Sequence, residues 1–165
     1  MPIRRLSLLI LILLTLPALA QQAPPPITIE ADRLEMSQLD GHSLYQGNVQ
    51  LRQGELLIRS DRLAIHHLDG QLQRATADGS PVYFEMPDEA SGQLVRGESD
   101  HVDYQPGLPR IELLGSAILW RGQDEFQGEQ IIYHPDERSV QAFGGPPRDE
   151  RDGRVRIILQ QDGSR

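Results

Sequence analysis

The feature that most constrains this chain is that it matches itself. Displaced by 68 residues, the sequence puts Asp32 on Asp100, Gly47 on Gly115, Leu51 on Leu119, Gly54 on Gly122 and His66 on His134, without a gap. Between these identities Leu34 falls on Val102, Met36 on Tyr104, Val49 on Ala117, Ile58 on Phe126, Leu63 on Ile131, Ile65 on Tyr133 and Asp61 on Glu129. Apolar positions meet apolar positions in the same parity, which five chance identities would not explain. A unit of this kind cannot bury its own apolar face, so two units must stack or wrap around a shared interior.

Within each unit the apolar residues alternate with polar ones, as in Val49 and Leu51, Leu63 and Ile65, Val82 and Phe84, Val102 and Tyr104, Ala117 and Leu119, Ile131 and Tyr133. That period of two turns one face of a strand inward. The runs are separated by turn sequences: Leu39-Asp40-Gly41, Gln53-Gly54, Leu68-Asp69-Gly70, Asp78-Gly79-Ser80-Pro81, Pro106-Gly107 and Gly144-Gly145-Pro146-Pro147. No stretch beyond the N-terminal segment has a sustained helical period. The pattern predicts an all-β protein of about 12 to 16 short antiparallel strands.

The N-terminal segment reads as a cleavable export signal. Arg4 and Arg5 precede an apolar run from Leu6 to Leu16, followed by Pro17 and Ala18-Leu19-Ala20. A spanning helix needs about 20 apolar residues, and this run stops short of that. The predicted organisation is a signal over 1–20, a Pro-rich leader over 21–26, one β-domain over 27–160 and a tail over 161–165. Cleavage after Ala20 leaves 14 Arg against 24 Asp and Glu, a net charge of −10. So acidic a protein is a poor partner for nucleic acid.

Catalytic chemistry finds little support. With no Cys there are no disulfides, thiolate ligands or cysteine nucleophiles. His66 and His67 are adjacent on a strand and must point to opposite faces, so they cannot share a metal. Asp32, Asp61, Asp100 and Glu129 recur with the repeat, and their expected task is to satisfy backbone donors near strand starts. There is no phosphate loop ending in Lys and no serine elbow. No catalytic residue, metal or cofactor is expected.

Several segments resemble one known family. Pro26-Ile27-Thr28-Ile29-Glu30-Ala31-Asp32, then Tyr45-Gln46-Gly47-Asn48-Val49, Arg59-Ser60-Asp61-Arg62-Leu63 and Phe126-Gln127-Gly128-Glu129-Gln130-Ile131-Ile132-Tyr133 are similar in content and order to the OstA-like family of periplasmic lipopolysaccharide-transport proteins. Departures fall at Pro87 to Gln93 and in the loop from Gly144 to Gly153. The resemblance implies an open, V-shaped β-jelly-roll with an apolar groove between two sheets, stacked end to end into a bridge across the periplasm. Lipopolysaccharide would travel along it, its acyl chains in the groove, from an anchored partner in the inner membrane to an insertion complex in the outer membrane.

On that reading Ile27, Ile29, Val82, Phe84, Val102, Tyr104, Phe126 and Tyr133 line the groove, and Ile27, Phe84 and Tyr104 fall on positions resembling lipid-contacting ones in the family. The first strand, Ile27 to Glu35, and the last, Arg154 to Gln160, are the expected edges. Ile27, Thr28, Ile29 and Glu30 would pair at one end, and Val155, Arg156, Ile157, Ile158 and Leu159 at the other, by strand addition. The alternatives are an envelope scaffold joined through the same edges without lipid, a membrane-anchored relative of the carrier, and a β-helical enzyme. The last would need a regular rung period of about 20 to 25 residues and convergent acids, and neither is present.

Overall fold

The computed structural model describes residues 25–37, 41–88, 91–108, 110–146 and 153–160. The predicted signal over 1–20 and the tail over 161–165 lie outside them. Among the described residues, ten antiparallel strands make one continuous sheet: β1 (Ile27–Glu30), β2 (Arg33–Ser37), β3 (His42–Gln53), β4 (Leu56–Leu68), β5 (Gln71–Pro87), β6 (Leu94–Gln105), β7 (Arg110–Arg121), β8 (Asp124–His134), β9 (Ser139–Phe143) and β10 (Arg156–Ile158). The pairing order is β1-β3-β4-β5-β6-β7-β8-β10, with β2 also on β3 and β9 also on β8.

One line of bulges decides the architecture. The register slips between Gln46 and Val49 in β3, Arg59 and Arg62 in β4, Asp78 and Val82 in β5, Glu98 and His101 in β6, and Leu114 and Ala117 in β7. These slips lie side by side, so every long strand bends at the same height. The sheet therefore folds over into two limbs of eight strand segments each, β1 and β10 bordering one and β2 and β9 the other. Counted by segment, this is the upper end of the predicted number. Asp78-Gly79-Ser80-Pro81 is not the tight turn its sequence suggested but the bend within β5. The predicted first strand likewise divides at Ala31-Asp32, where the chain crosses from one limb to the other.

The repeat is structural. Adding 68 to the bounds of β3 gives those of β7, residues 71–75 of β5 map onto β9, and β1 with β2 maps onto β6. At the bend Gly47 and Gly115 have φ of 78° and 77°, followed by Asn48 at 46° and Ser116 at 49°. A Cβ on Gly47 would stand 2.9 Å from Cβ of Asp32, and one on Gly115 would stand 2.9 Å from Cβ of Asp100. Both glycines are thus required twice, by conformation and by space. The Asp32 carboxylate accepts from Nδ2 of Asn48 at 2.8 Å rather than from a backbone donor as expected, while the Asp32 amide donates to the Gly47 carbonyl at 3.0 Å.

Candidate functional site: an apolar interior with two open edges

Alternation within strands, multiplied across the register, produces apolar rows. In one limb Ile29, Leu51, Ile58, Phe84, Gly97, Leu119, Phe126 and Ile157 are each the cross-strand partner of the next, from edge to edge. In the other, Leu34, Tyr45, Leu63, Ala77, Val102, Leu113, Ile131 and Ala142 form a second complete row. The limbs face each other across a single apolar cluster.

The eight predicted groove residues all take the inward parity. Val82, Phe84, Val102 and Tyr133 are wholly buried, Phe126 is nearly so, Ile29 and Tyr104 are partly buried, and Ile27 is exposed. Burial pushes the Tyr104 and Tyr133 hydroxyls above their ordinary pKa. At Tyr133 the nearby Asp88 carboxylate adds to the rise and Arg121 opposes it. The Tyr133 hydroxyl oxygen is buried without a hydrogen-bond partner.

Between the limb tips over the first repeat lies a cleft of about 770 Å³, with walls that include Ile27, Ile29, Tyr45, Ile65 and Leu72. His67 also lines it, whereas His66 stacks on His42 with ring centroids 4.5 Å apart. The two neighbours occupy opposite faces, as alternation requires. Among the described residues no group of three or more His, Cys, Asp or Glu is placed to hold a metal.

The predicted edges stand at the two ends of the strand order. β1 and β10 border one limb, and the terminal strand is shorter than predicted, Arg156–Ile158 rather than 154–160. The edges also extend further, since β2 continues the first and β9 the second. Large apolar residues are exposed along both: Ile27, Leu34 and Met36 on one side, Phe143, Val155, Ile157 and Leu159 on the other. Leu34 is 50% and Ile157 51% exposed although both end inward-facing rows.

A folded-over antiparallel sheet with an apolar interior and uncapped edges matches a known group. Residues 28–139 fit the family described as LptA/(LptD N-terminal domain) LPS transport protein. The chain belongs to this family. The lipopolysaccharide export system protein LptA of Escherichia coli is 26% identical over 121 residues, 72% of this chain and 64% of that protein. The match thus spans under two thirds of that relative's length. The export system protein LptH of Pseudomonas aeruginosa is 25% identical over 126 residues, covering 76% of this chain and 72% of that one. In fold, the chain resembles the crystal structure of that organism's LptH, described as the LptA-homologous periplasmic component of the lipopolysaccharide transport device. The TM-score is 0.73 at 22% identity, over 83% of this chain and 96% of that one.

Within this LptA/LptD-type jelly-roll, the residues that sequence reasoning passed over are Tyr45 and Leu72 at the cleft, Leu34 and Met36 on β2, and Arg121. The repeat held a signal for some of them. Met36 aligns with Tyr104 and Leu34 with Val102, both predicted groove residues. Tyr45 and Leu72 have no such counterpart among the predicted residues.

Proposed function

We propose that this chain is a periplasmic lipopolysaccharide carrier that stacks end to end as a bridge from the inner to the outer membrane. The observation carrying the reading is that inward-facing apolar rows run uninterrupted from one sheet edge to the other, one ending exposed at Leu34 on the first edge and the other at Ile157 on the second. An isolated domain would cover such ends, because burying a Leu or Ile side chain is worth about 1.5–3 kcal/mol. A stack of copies continues the rows from one molecule into the next. Acyl chains would lie within, where each buried CH₂ contributes about 0.8 kcal/mol, and the sugar-phosphate head would stay in water. The reading involves no catalytic step, and the predicted export signal would deliver the chain to the periplasm.

The repeat also supports one docking register. β1 and β2 correspond to β6, and β9 and β10 to the two halves of β5, since Ile157 pairs with Phe126 as Phe84 pairs with Ile58. Within the chain β5 pairs with β6, Phe84 opposite Gly97 and Tyr83 opposite Glu98. Transferred to two copies, Ile157 would oppose Ile29 of the next molecule and Arg156 would oppose Glu30. An anchored inner-membrane partner would take the free β1 edge of the first copy, and the outer-membrane insertion complex the free β10 edge of the last.

A photoreactive residue at Phe84 or Tyr104 is expected to capture lipopolysaccharide during ATP-driven release from inner membranes, and one at Arg52, on the outer face, is not. Equal capture at all three, or at none, overturns the carrier. Capture at none with end-to-end association intact would favour the scaffold.

A further inference from the structure

At one pair of positions the two repeats differ in a way that bears on access to the interior. Gln53 at the end of β3 and Gly70 on the β4–β5 turn sit at the tips of opposite limbs, and both line the open cleft. Their equivalents, 68 residues on, are Arg121 and Arg138. There the limbs are bridged, with Nη1 of Arg121 donating to the Arg138 carbonyl at 2.9 Å. The Arg121 guanidinium also lies 5.8 Å from the ring centroid of Phe126, the groove residue equivalent to Ile58.

The surroundings follow the same division. Among the described residues, no carboxylate lines the open cleft. Around Arg121 the space between the tips is a polar recess of about 430 Å³ lined by Asp88, Asp124 and Glu137 together with Arg121 and Arg138. A phosphorylated amphiphile would meet a partly apolar opening at the first repeat and, at the second, an opening spanned by a guanidinium and lined by charges of both signs. A guanidinium stays protonated at any physiological pH, so a change of pH would not withdraw this bridge.

We propose that acyl chains enter the groove through the mouth over the first repeat, and that Arg121 bars the equivalent mouth over the second. The inference rests on the carrier reading and adds to it a place of loading. Chains admitted beside Ile27, Ile29, Tyr45 and Leu72 reach the second repeat only along the interior rows. Arg121 is a positioning residue here, holding two limb tips together.

The test places a photoreactive residue at Leu72 or at its equivalent Val140, both partly buried against the interior, in the full chain with purified rough-type lipopolysaccharide as probe. Capture at Leu72 should exceed capture at Val140 at least fivefold. Arg121→Gln, which installs the residue of the first repeat, should raise capture at Val140 severalfold and leave Leu72 unchanged. Gln53→Arg, which installs the residue of the second repeat, should lower capture at Leu72 severalfold, and it decides the matter if Arg121→Gln does not fold. Equal capture at Leu72 and Val140 without substitution, or a ratio unmoved by both variants, overturns the bar. No capture at either position, with circular dichroism showing folded protein, overturns the carrier reading itself and the bar with it.

Discussion

Phe84 lies across Gly97 on the neighbouring strand, so that a Cβ at position 97 would stand 2.6 Å from Cδ1 of the ring and 2.6 Å from Cδ2 of Leu113. Those atoms belong to the two limbs and are wholly buried, so neither can retreat into solvent. Gly97→Ala should therefore cost about 1–3 kcal/mol, the range for forcing a methyl into a filled core. The midpoint of thermal unfolding should fall by roughly 2–12 °C. Trimming the ring in the double variant Gly97→Ala, Phe84→Leu should recover part of the loss; a double variant that melts at the sum of the single effects would show that the ring is not the obstacle.

The bend makes a symmetrical prediction. Gly47→Ala and Gly115→Ala meet the same positive φ and the same Asp Cβ at 2.9 Å, so each should destabilise the domain by about 1–3 kcal/mol, and by similar amounts. Gly107→Ala is the control, because nothing lies within 4 Å of a Cβ there. Urea unfolding of the three variants measures it, and a near-neutral Gly115→Ala would mean that the two bends do not carry equivalent strain.

These glycines also mark how far the sequence could be read. Parity placed the predicted groove residues on the inner face because alternation is local, set by the backbone alone. The 68-residue repeat was visible because its two copies solve the same packing problem, down to Asp32 against Gly47 and Asp100 against Gly115. What local signals could not convey was the course of β5 through Gly79-Ser80-Pro81. A turn and a bulge use the same residues, and only the neighbouring strands decide between them. Arg121 was illegible for the same reason: its acceptor is a main-chain carbonyl on another limb, which no side-chain pattern announces.

Tyr133 couples stability to pH. Its hydroxyl is buried and its pKa raised, so the folded state holds the proton more tightly than the unfolded chain does. The stability from the protonated phenol is fully present below the unfolded pKa of about 10 and is lost progressively as pH climbs from there through the folded value. Tyr133→Phe should remove this alkaline loss. It also deletes a buried hydroxyl with no partner, an arrangement that costs about 1–3 kcal/mol. The variant is expected to match or exceed the parent midpoint at pH 7 and to widen its advantage between about pH 10 and 11. Parallel melting curves at both pH values would remove Tyr133 from the account.

The proposed register can be tested at one pair of charges. Arg156 projects from β10 opposite Gln127, on the face away from the Ile157–Phe126 pair, and Glu30 is exposed at the end of β1. If Ile157 of one copy opposes Ile29 of the next, Arg156 meets Glu30. An exposed ion pair is worth only about 0.2–1 kcal/mol, so the apolar row ends should carry most of the affinity and the charges the choice of register. Arg156→Glu or Glu30→Arg alone should weaken end-to-end association severalfold in sedimentation velocity, and mixing the two variants should restore both junctions between unlike copies and so rebuild stacks in which the variants alternate. Deleting residues 154–165 should abolish stacking and leave a folded domain. If the mixed variants associate no better than either alone, the copies meet in another register, and the repeat would govern the fold of one chain without extending to the next.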